Sequence, residues 1–140
     1  MRLQECAASL GLVCDQAVEI TSVETDSRKV TPGCLFVAMK GTKADGHAHI
    51  SGAIARGAAA VIVEDPAAIG GASAVPHLCC TTIRADLWKL ASAFYGDPTR
   101  SLCVIGVTGT NGKTSTTYYL KGILDAAGMP AGLIGTIQYI

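Results

Sequence analysis

The feature that most constrains the fold is the stretch VIGVTGTNGKTSTT at residues 104–117. It begins with apolar residues typical of a buried strand and ends in residues that favour a helix. A short loop containing Gly109 and Gly112 joins the two parts. A strand, a tight glycine loop and a helix in this order predict an α/β fold with mainly parallel strands.

The loop has the residue types of a phosphate-binding turn. Its glycines permit backbone angles that let successive N–H groups point at anionic oxygens at the helix start. Lys113 supplies a mobile cation for the outer phosphates, and the Thr114 hydroxyl is placed to bind Mg²⁺. The common pattern G-x-x-x-x-G-K-[ST] has a glycine where this chain has Val107. A plain strand-to-helix corner is the alternative, and it leaves the run Gly112-Lys113-Thr114 unexplained.

Charge and composition exclude several classes of protein. Eleven basic and eleven acidic residues cancel and form no basic stripe, so neither nucleic acid nor another polyanion is an expected partner. The 140 residues are 49% hydrophobic, which is enough to bury a core. No apolar run has the length of a signal peptide or a membrane span. We therefore expect a soluble, cytoplasmic, monomeric protein that does not bind membranes.

The spacing of cysteine and histidine does not predict a metal site. The six cysteines include no C-x-x-C pair, and several lie in apolar strand patterns. We therefore expect free thiols that pack as small hydrophobic groups. His47 and His49 form an H-x-H pair with no third ligand nearby, and a polar helix start is the favoured interpretation.

Hydrophobic periodicity predicts two units. Helices are predicted over residues 3–10, 47–56, 84–95 and 114–127, and strands over 18–24, 34–39, 58–63, 77–81, 102–107 and 131–140. The turn Gly96-Asp97-Pro98 separates a self-contained α/β unit, residues 1–98, from a second unit, residues 99–140. Because about 40 residues rarely form a stable domain, the second unit is expected to be incomplete and the chain a fragment of a longer protein.

The glycine loop resembles the ATP loop of the Mur ligase superfamily, whose members typically lack the first glycine of the common pattern; its sequence is TGTNGKTS. The segment 25–65 closely resembles the N-terminal uridine-nucleotide-binding domain of members that add the third residue or the terminal dipeptide. That segment reads TDSRKVTPGCLFVAMKGTKADGHAHISGAIARGAAAVIVED. Two further segments are similar to the third-residue-adding E type, namely FYGDPTRSLCVIGVTG and GLIGTIQY.

The resemblance implies an ATP-dependent amide ligase. It would add diaminopimelate or lysine to UDP-N-acetylmuramoyl-L-alanyl-D-glutamate through an acyl phosphate, with ATP and Mg²⁺ as cofactors. Residues 1–98 would be the UDP-sugar-binding domain and residues 99–140 the start of the central ATP-binding domain, a parallel-sheet domain that is inactive in this form. Two alternatives remain open: a ligase that adds the terminal dipeptide, and a non-catalytic module that binds a uridine-nucleotide sugar.

The resemblance also implies the residues of both sites. The ATP contacts fall on Gly109, Thr110, Asn111, Gly112, Lys113, Thr114 and Ser115, with Lys113 as the catalytic cation and Thr114 as the Mg²⁺ ligand. The sugar-nucleotide contacts fall on Thr25, Ser27, Thr42, Lys43 and Ala44. Arg28 can pair with a phosphate. The alternative for this segment is a polar turn in which Asp26 caps the backbone and Arg28 is solvated.

Overall fold

The computed structural model describes residues 1–41, 44–69, 74–137 and 139–140. The chain divides into two compact units, Met1–Ser101 and Leu102–Ile140. The first unit is a parallel β-sheet with helices on both faces, which is the predicted α/β fold. Among its described residues, the second unit contains one helix and irregular segments.

The described strands of the first unit form one parallel sheet, in which their spatial order follows their order along the chain. The strands are β1 (Ser22–Glu24), β2 (Cys34–Ala38), β3 (Ala60–Val63) and β4 (His77–Cys79). The helices of this unit are α1 (Leu3–Ser9), α2 (Ile50–Ala55) and α3 (Ile83–Phe94). Because the strands run in one direction, their carboxyl ends share one edge, which is where open α/β sheets bind ligands.

The central strands are apolar throughout because both of their faces are buried. In β2, Leu35 and Val37 belong to the core that α1 and α3 cover, whereas Phe36 belongs to the core beneath α2. Every residue of β2 and β3 is buried. The strands therefore have no polar face, although successive side chains still alternate between two separate cores.

The six cysteines are free thiols, as predicted. Cys6, Cys34 and Cys80 are buried in the two cores of the first unit. Burial raises the pKa of the Cys6 and Cys34 thiols above the usual value, which keeps them protonated. These side chains pack as small hydrophobic groups.

The predicted strand over residues 18–24 is shorter in the structure, since β1 begins only at Ser22. Residues 18–20 pair instead with the first residues of the chain. The N–H groups of Leu3 and Ile20 each donate a backbone hydrogen bond of 2.8 Å across this contact. The hydrogen-bonding groups of residues 18–20 are thus used outside the sheet.

The predicted helix over residues 47–56 is also shorter. It begins as a 3₁₀ turn, Gly46–His49, and continues as α2. The His47 N–H donates to the Asp45 carboxylate at 3.0 Å, and an aspartate that binds a backbone N–H two residues on competes with helix formation. The other predicted helices and strands of this unit agree with the structure within two residues at each end.

The second unit contains the predicted helix but not the predicted strand before it. Helix α4 spans Lys113–Ala126. Residues 102–107 have no regular structure, and the side chains of Val104 and Ile105 are exposed, with 71% and 54% of each residue's surface accessible. The prediction of a buried strand is wrong here. A parallel strand requires a hydrogen-bonded neighbour, and the described residues of this unit provide none.

The predicted strand over residues 131–140 is wrong for the same reason. Leu133 and Ile140 exchange two backbone hydrogen bonds, and Ile134 pairs in antiparallel fashion with Tyr139. These residues therefore pair with one another rather than with a parallel strand. Gln138 lies outside the described residues.

Candidate functional site

The glycine loop of the second unit leads directly into α4. The φ angles of Gly109 and Gly112 are 149° and 77°, a range that side chains with a Cβ rarely adopt. A Cβ added to Gly112 would meet no atom within 4 Å. The backbone angle, rather than crowding, therefore requires glycine at this position, and the turn into the helix depends on it.

The Lys113 side chain folds back over the loop. Its ammonium Nζ donates to the Gly109 carbonyl oxygen at 2.5 Å and approaches the Thr110 carbonyl oxygen at 3.4 Å. A positive charge therefore lies directly at the loop backbone. A phosphate oxygen at this point would accept a charge-assisted hydrogen bond, which is roughly twice as strong as a neutral one.

The start of α4 presents backbone donors. No side chain caps the helix at Gly112, so the N–H groups of the first turn are left for an external acceptor. The 14-residue helix adds the positive end of its dipole at the same place. Thr114 is half-buried in this turn and carries a hydroxyl oxygen, a ligand type that Mg²⁺ accepts. The residues present fit a polyphosphate accompanied by Mg²⁺.

In the first unit, the segment after β1 is a turn capped by Asp26. The Asp26 carboxylate accepts hydrogen bonds from the Arg28 N–H at 3.0 Å and from the Arg28 guanidinium at 2.7 and 2.9 Å. The guanidinium hydrogen bonds, and then the backbone one, hold the pKa of Asp26 far below its usual range. The Arg28 side chain is 85% exposed. The structure thus contains the capped turn, with the charge of Arg28 paired within the turn.

Thr25 and Ser27 flank the capping residue at the carboxyl end of β1. Thr25 is exposed, and Ser27 is the half-buried first residue of a 3₁₀ turn over Ser27–Lys29. Both hydroxyl groups therefore lie at the sheet edge where ligands of parallel α/β folds bind. Their predicted role as substrate contacts is compatible with this position.

The segment after β2 carries the second predicted contact. Thr42 and Lys43 lie outside the described residues, and Ala44 is exposed. Lys40 and Asp45 pair as an antiparallel bridge, and the Gly41 N–H donates to the Ala44 carbonyl oxygen at 2.8 Å. Ala44 therefore lies next to this bridge, and its carbonyl group takes part in the hydrogen bonding around it.

Sequence reasoning missed the role of His47. Its side chain is only 10% exposed, and its ring Nδ1 lies 2.6 Å from the Asp45 carboxylate. Its Nε2 accepts from the backbone N–H groups of Glu64 and Asp65 at 3.2 and 3.4 Å. In the described residues no group of three or more potential metal ligands occurs. The Asp-Gly-His order, typical of an aspartate-capped turn, was the available signal.

A second connection joins the same segments through Glu64 and Arg84. The Glu64 carboxylate accepts from the Lys40 N–H at 3.0 Å and lies 3.9 Å from the Arg84 guanidinium. Arg84 also donates to the Lys40 carbonyl oxygen. The residues that follow β2 and β3 are therefore joined to the start of α3. The two partners of Lys40 are 24 and 44 residues away in sequence, so no local pattern predicts this cluster.

The Asp45 carboxylate is expected to make the stability of the first unit pH-dependent. Its pKa is lowered, first by the hydrogen bond from the His47 N–H and then by the His47 side chain. Because the folded-state pKa is the lower one, this stabilisation is complete above the unfolded-state pKa of about 3.9 and is lost as the pH falls through the folded-state value. Urea unfolding at pH 7 and pH 3 measures the loss, and Asp45→Asn is expected to reduce it. An equal loss in the variant would contradict the assignment.

Two family models match the chain. The model for "Mur ligase family, catalytic domain" matches residues 19–93, which is more than half of the chain. The model for "Mur ligase middle domain" matches residues 107–140. The second match begins within the segment before the glycine loop and includes α4. Both sequence regions described above therefore fall inside a family match.

Curated relatives match nearly the whole chain. The UDP-N-acetylmuramyl-tripeptide synthetase of Roseiflexus sp. (strain RS-1) is 51% identical over 121 residues, covering 86% of this chain and 24% of the relative. The UDP-N-acetylmuramoyl-L-alanyl-D-glutamate–2,6-diaminopimelate ligase of Bacillus cereus is 44% identical over 136 residues, covering 97% and 27%. The chain thus spans about a quarter of the length of the curated relatives it matches.

Solved structures share the fold. The crystal structure of a MurF ligase from Thermotoga maritima in complex with ADP superimposes with a TM-score of 0.59 and 31% sequence identity. The match covers 78% of this chain and 24% of that one. Within the described ranges, no helix has the length and apolar character needed to cross a bilayer.

Proposed function

The chain belongs to the Mur ligase family, and from this premise we propose that the full-length protein is an ATP-dependent amide ligase of peptidoglycan synthesis. It adds diaminopimelate or lysine as the third amino acid to UDP-N-acetylmuramoyl-L-alanyl-D-glutamate, in the cytoplasm and as a monomer. The observation that carries the proposal is the uncapped start of α4 with the Lys113 ammonium held over the glycine loop. This arrangement supports the binding of a nucleoside triphosphate.

We assign the sugar-nucleotide site to residues 1–98. Thr25 and Ser27 follow β1, and Ala44 lies in the segment after β2, so all three belong to the carboxyl edge of the sheet. Thr42 and Lys43 complete the assignment through the family resemblance. Arg28 contributes a sixth group, a guanidinium, at the same edge, although its charge is paired with Asp26. Small hydroxyl groups at a strand end can approach a uracil or a phosphate without crowding.

The chemistry assigned to residues 99–140 is electrostatic. The substrate carboxylate attacks the γ-phosphoryl group of ATP and releases ADP. The amine of the amino acid then attacks the acyl carbon of the resulting acyl phosphate, which forms the amide and releases phosphate and a proton. The backbone N–H groups of residues 109–115 and the Lys113 ammonium hold the phosphates and offset the charge that develops during transfer. The Thr114 hydroxyl would hold Mg²⁺, which supplies further positive charge when bound.

A ligase that adds the terminal dipeptide is the second candidate, since the chain also shares its fold with a MurF ligase. The names of the two curated relatives favour third-residue addition instead. An assay of product formation by the full-length protein, with ATP and either of two substrate pairs, distinguishes the two candidates. Product from the UDP-muramoyl dipeptide with diaminopimelate or lysine supports the proposal. Product only from the UDP-muramoyl tripeptide with D-alanyl-D-alanine overturns it.

The other alternative is that the 140-residue chain by itself binds the uridine-nucleotide sugar without catalysing a reaction. Calorimetric titration with UDP-N-acetylmuramoyl-L-alanyl-D-glutamate and an ATPase assay test it together. Binding of the sugar nucleotide without ATP hydrolysis is the expected result, because the described residues of the second unit form no sheet. Ligation by these 140 residues alone would overturn the view that the remaining length of the relatives is needed.

Replacing Ser27 by alanine is expected to weaken sugar-nucleotide binding by about threefold to tenfold, the equivalent of one hydrogen bond. Ser51→Ala is the matched control, because Ser51 is exposed on α2 and lies outside the assigned site. Titration of both variants with UDP-N-acetylmuramoyl-L-alanyl-D-glutamate measures the difference. Equal affinities for the two variants would remove Ser27 from the site.

A further inference from the structure

The side chain of His47 joins two segments that follow neighbouring strands. It lies in the segment after β2, and its Nε2 accepts from the N–H groups of Glu64 and Asp65, which follow β3. The ring is 90% removed from solvent, given its 10% exposure. A buried polar group is costly unless its hydrogen bonds are satisfied, so the ring favours the arrangement in which both segments are in contact.

The partners determine the tautomer of His47. Nδ1 lies 2.6 Å from a carboxylate oxygen of Asp45, which can only accept, so Nδ1 carries the proton. Nε2 faces two backbone N–H donors, so it carries none. Both ring nitrogens are therefore engaged within the protein. His47 cannot bind a ligand or a metal ion directly without giving up one of these contacts.

His47 makes hydrogen bonds to Asp45, the residue that follows Ala44 in the chain. The Asp45 carboxylate binds both the N–H and the ring of His47, and the Gly46 N–H donates to the Met39 carbonyl oxygen at 2.9 Å. Ala44 is the residue before Asp45. The backbone that follows Ala44 is thus connected, through Asp45 and His47, to the end of β3.

We propose that His47 is a positioning residue of the sugar-nucleotide site. It holds Ala44–Gly46 against the end of β3 and so sets the affinity for the UDP-sugar substrate without contacting that substrate. The inference rests on the proposed function, because it takes the site at the carboxyl edge of the sheet as the sugar-nucleotide site. Catalysis itself is not affected, since His47 has no part in the phosphate loop of the second unit.

The test uses two substitutions that each preserve one half of the imidazole. His47→Gln places an amide oxygen near the position of Nε2 and can still accept from the β3 end. His47→Asn places its amide near Nδ1 and can still donate to Asp45. His49→Gln is the matched control, because His49 is exposed two residues away. Each variant of the 140-residue chain is titrated with UDP-N-acetylmuramoyl-L-alanyl-D-glutamate, and its melting temperature is recorded.

His47→Asn is expected to bind about tenfold more weakly than the wild type, since two N–H groups lose their acceptor. His47→Gln is expected to recover most of the affinity, and His49→Gln all of it. The proposal is overturned if the Asn variant binds the sugar nucleotide as tightly as the wild type. It is also overturned if the Asn and Gln variants lose the same affinity while their melting temperatures are unchanged. In the full-length ligase, His47→Asn is expected to raise KM for the sugar nucleotide and leave kcat unchanged; a fall in kcat alone also overturns it.

The ring tautomer provides a readout that does not depend on ligand. Long-range ¹H–¹⁵N correlation spectra of the wild-type chain are expected to show His47 protonated at Nδ1 and His49 mainly in the commoner Nε2 form. A His47 protonated at Nε2 would contradict the positioning geometry. If the wild-type chain shows the expected tautomer but does not bind the sugar nucleotide, the proposed function fails while the linkage between the two segments stands.

Discussion

Replacing Lys113 by alanine is expected to lower the ligation rate of the full-length ligase by about 100- to 1,000-fold, which is typical for the loss of one preorganised group that stabilises developing charge. The Lys113 ammonium is the cation that the structure places at the glycine loop, 2.5 Å from the Gly109 carbonyl oxygen. The backbone N–H groups of the loop remain in the variant and retain part of the phosphate binding. A coupled ADP-release assay with the UDP-muramoyl dipeptide and the amino acid measures the rate.

Binding of the sugar nucleotide is the internal control for this variant. It is expected to be unchanged in Lys113→Ala, because that site is assigned to the first unit. Lys89→Ala is the matched control for the loss of a lysine: Lys89 lies on α3, pairs with Asp86 at 2.7 Å and belongs to neither assigned site. Loss of sugar-nucleotide binding together with ligation would mean that the two sites are not separable. Full activity in Lys113→Ala would remove Lys113 from the catalytic group.

Replacing Gly46 by alanine is expected to destabilise the first unit by about 1–3 kcal/mol, the usual cost of overpacking. A Cβ at Gly46 would lie 2.7 Å from the Met39 carbonyl oxygen and 2.9 Å from the Met39 nitrogen. These are backbone atoms of the segment after β2, so they cannot turn away as a flexible side chain could. The backbone must move, and the 2.9 Å hydrogen bond from the Gly46 N–H to Met39 is strained or broken.

Thermal unfolding of the 140-residue chain measures this effect. For a domain of 60–100 residues, each kcal/mol shifts the melting temperature by about 4–8 °C. Sugar-nucleotide affinity is also expected to fall, because Ala44 and the His47 contacts move with Gly46. An unchanged melting temperature in Gly46→Ala would contradict the prediction, because it would show that the backbone moves away from the added Cβ without loss of stability.

Gly52→Ala is the matched control and is expected to act in the opposite direction. Gly52 lies inside α2, where a Cβ would come within 3.4 Å only of Nη1 of Arg56, the end of a flexible side chain. Alanine in a helix interior is favoured over glycine by about 0.5–1 kcal/mol. Opposite shifts in melting temperature for the two glycine variants would separate local crowding from the general effect of adding a methyl group.

The helices and central strands of the first unit were predictable because their signals are local. The apolar runs of β2 and β3 satisfy two buried faces, and α3 follows the helical spacing of its apolar residues. The prediction of a strand over residues 102–107 was wrong, although that segment is also apolar. Apolar character shows that a segment can be buried, but a strand also needs a neighbour, and neighbours are a property of the assembled sheet.

The candidate site residues also differ in whether a local sequence pattern could identify them. Gly109 and Lys113 were selected from a pattern in which every group is within a few residues of the next, and in the structure the Lys113 ammonium donates to the Gly109 carbonyl oxygen. His47 and Glu64 were not identified as a cluster, because the contact between them spans 17 residues and depends on β2 and β3 being adjacent. For Arg28 the sequence left two interpretations, and the structure contains the turn capped by Asp26.

The sequence by itself determined the α/β class, the limits of most helices and strands in the first unit and the glycine turn before α4, and its resemblance to known ligases identified the family. The first three follow from the order of residues over short distances, through backbone propensity, side-chain periodicity and the conformational freedom of glycine. Only the tertiary structure decided which polar groups meet at the carboxyl edge of the sheet and which apolar segments become strands. Hydrogen-bond partners across a parallel sheet lie one crossover apart in the chain, so their identity depends on strand order rather than on any local pattern.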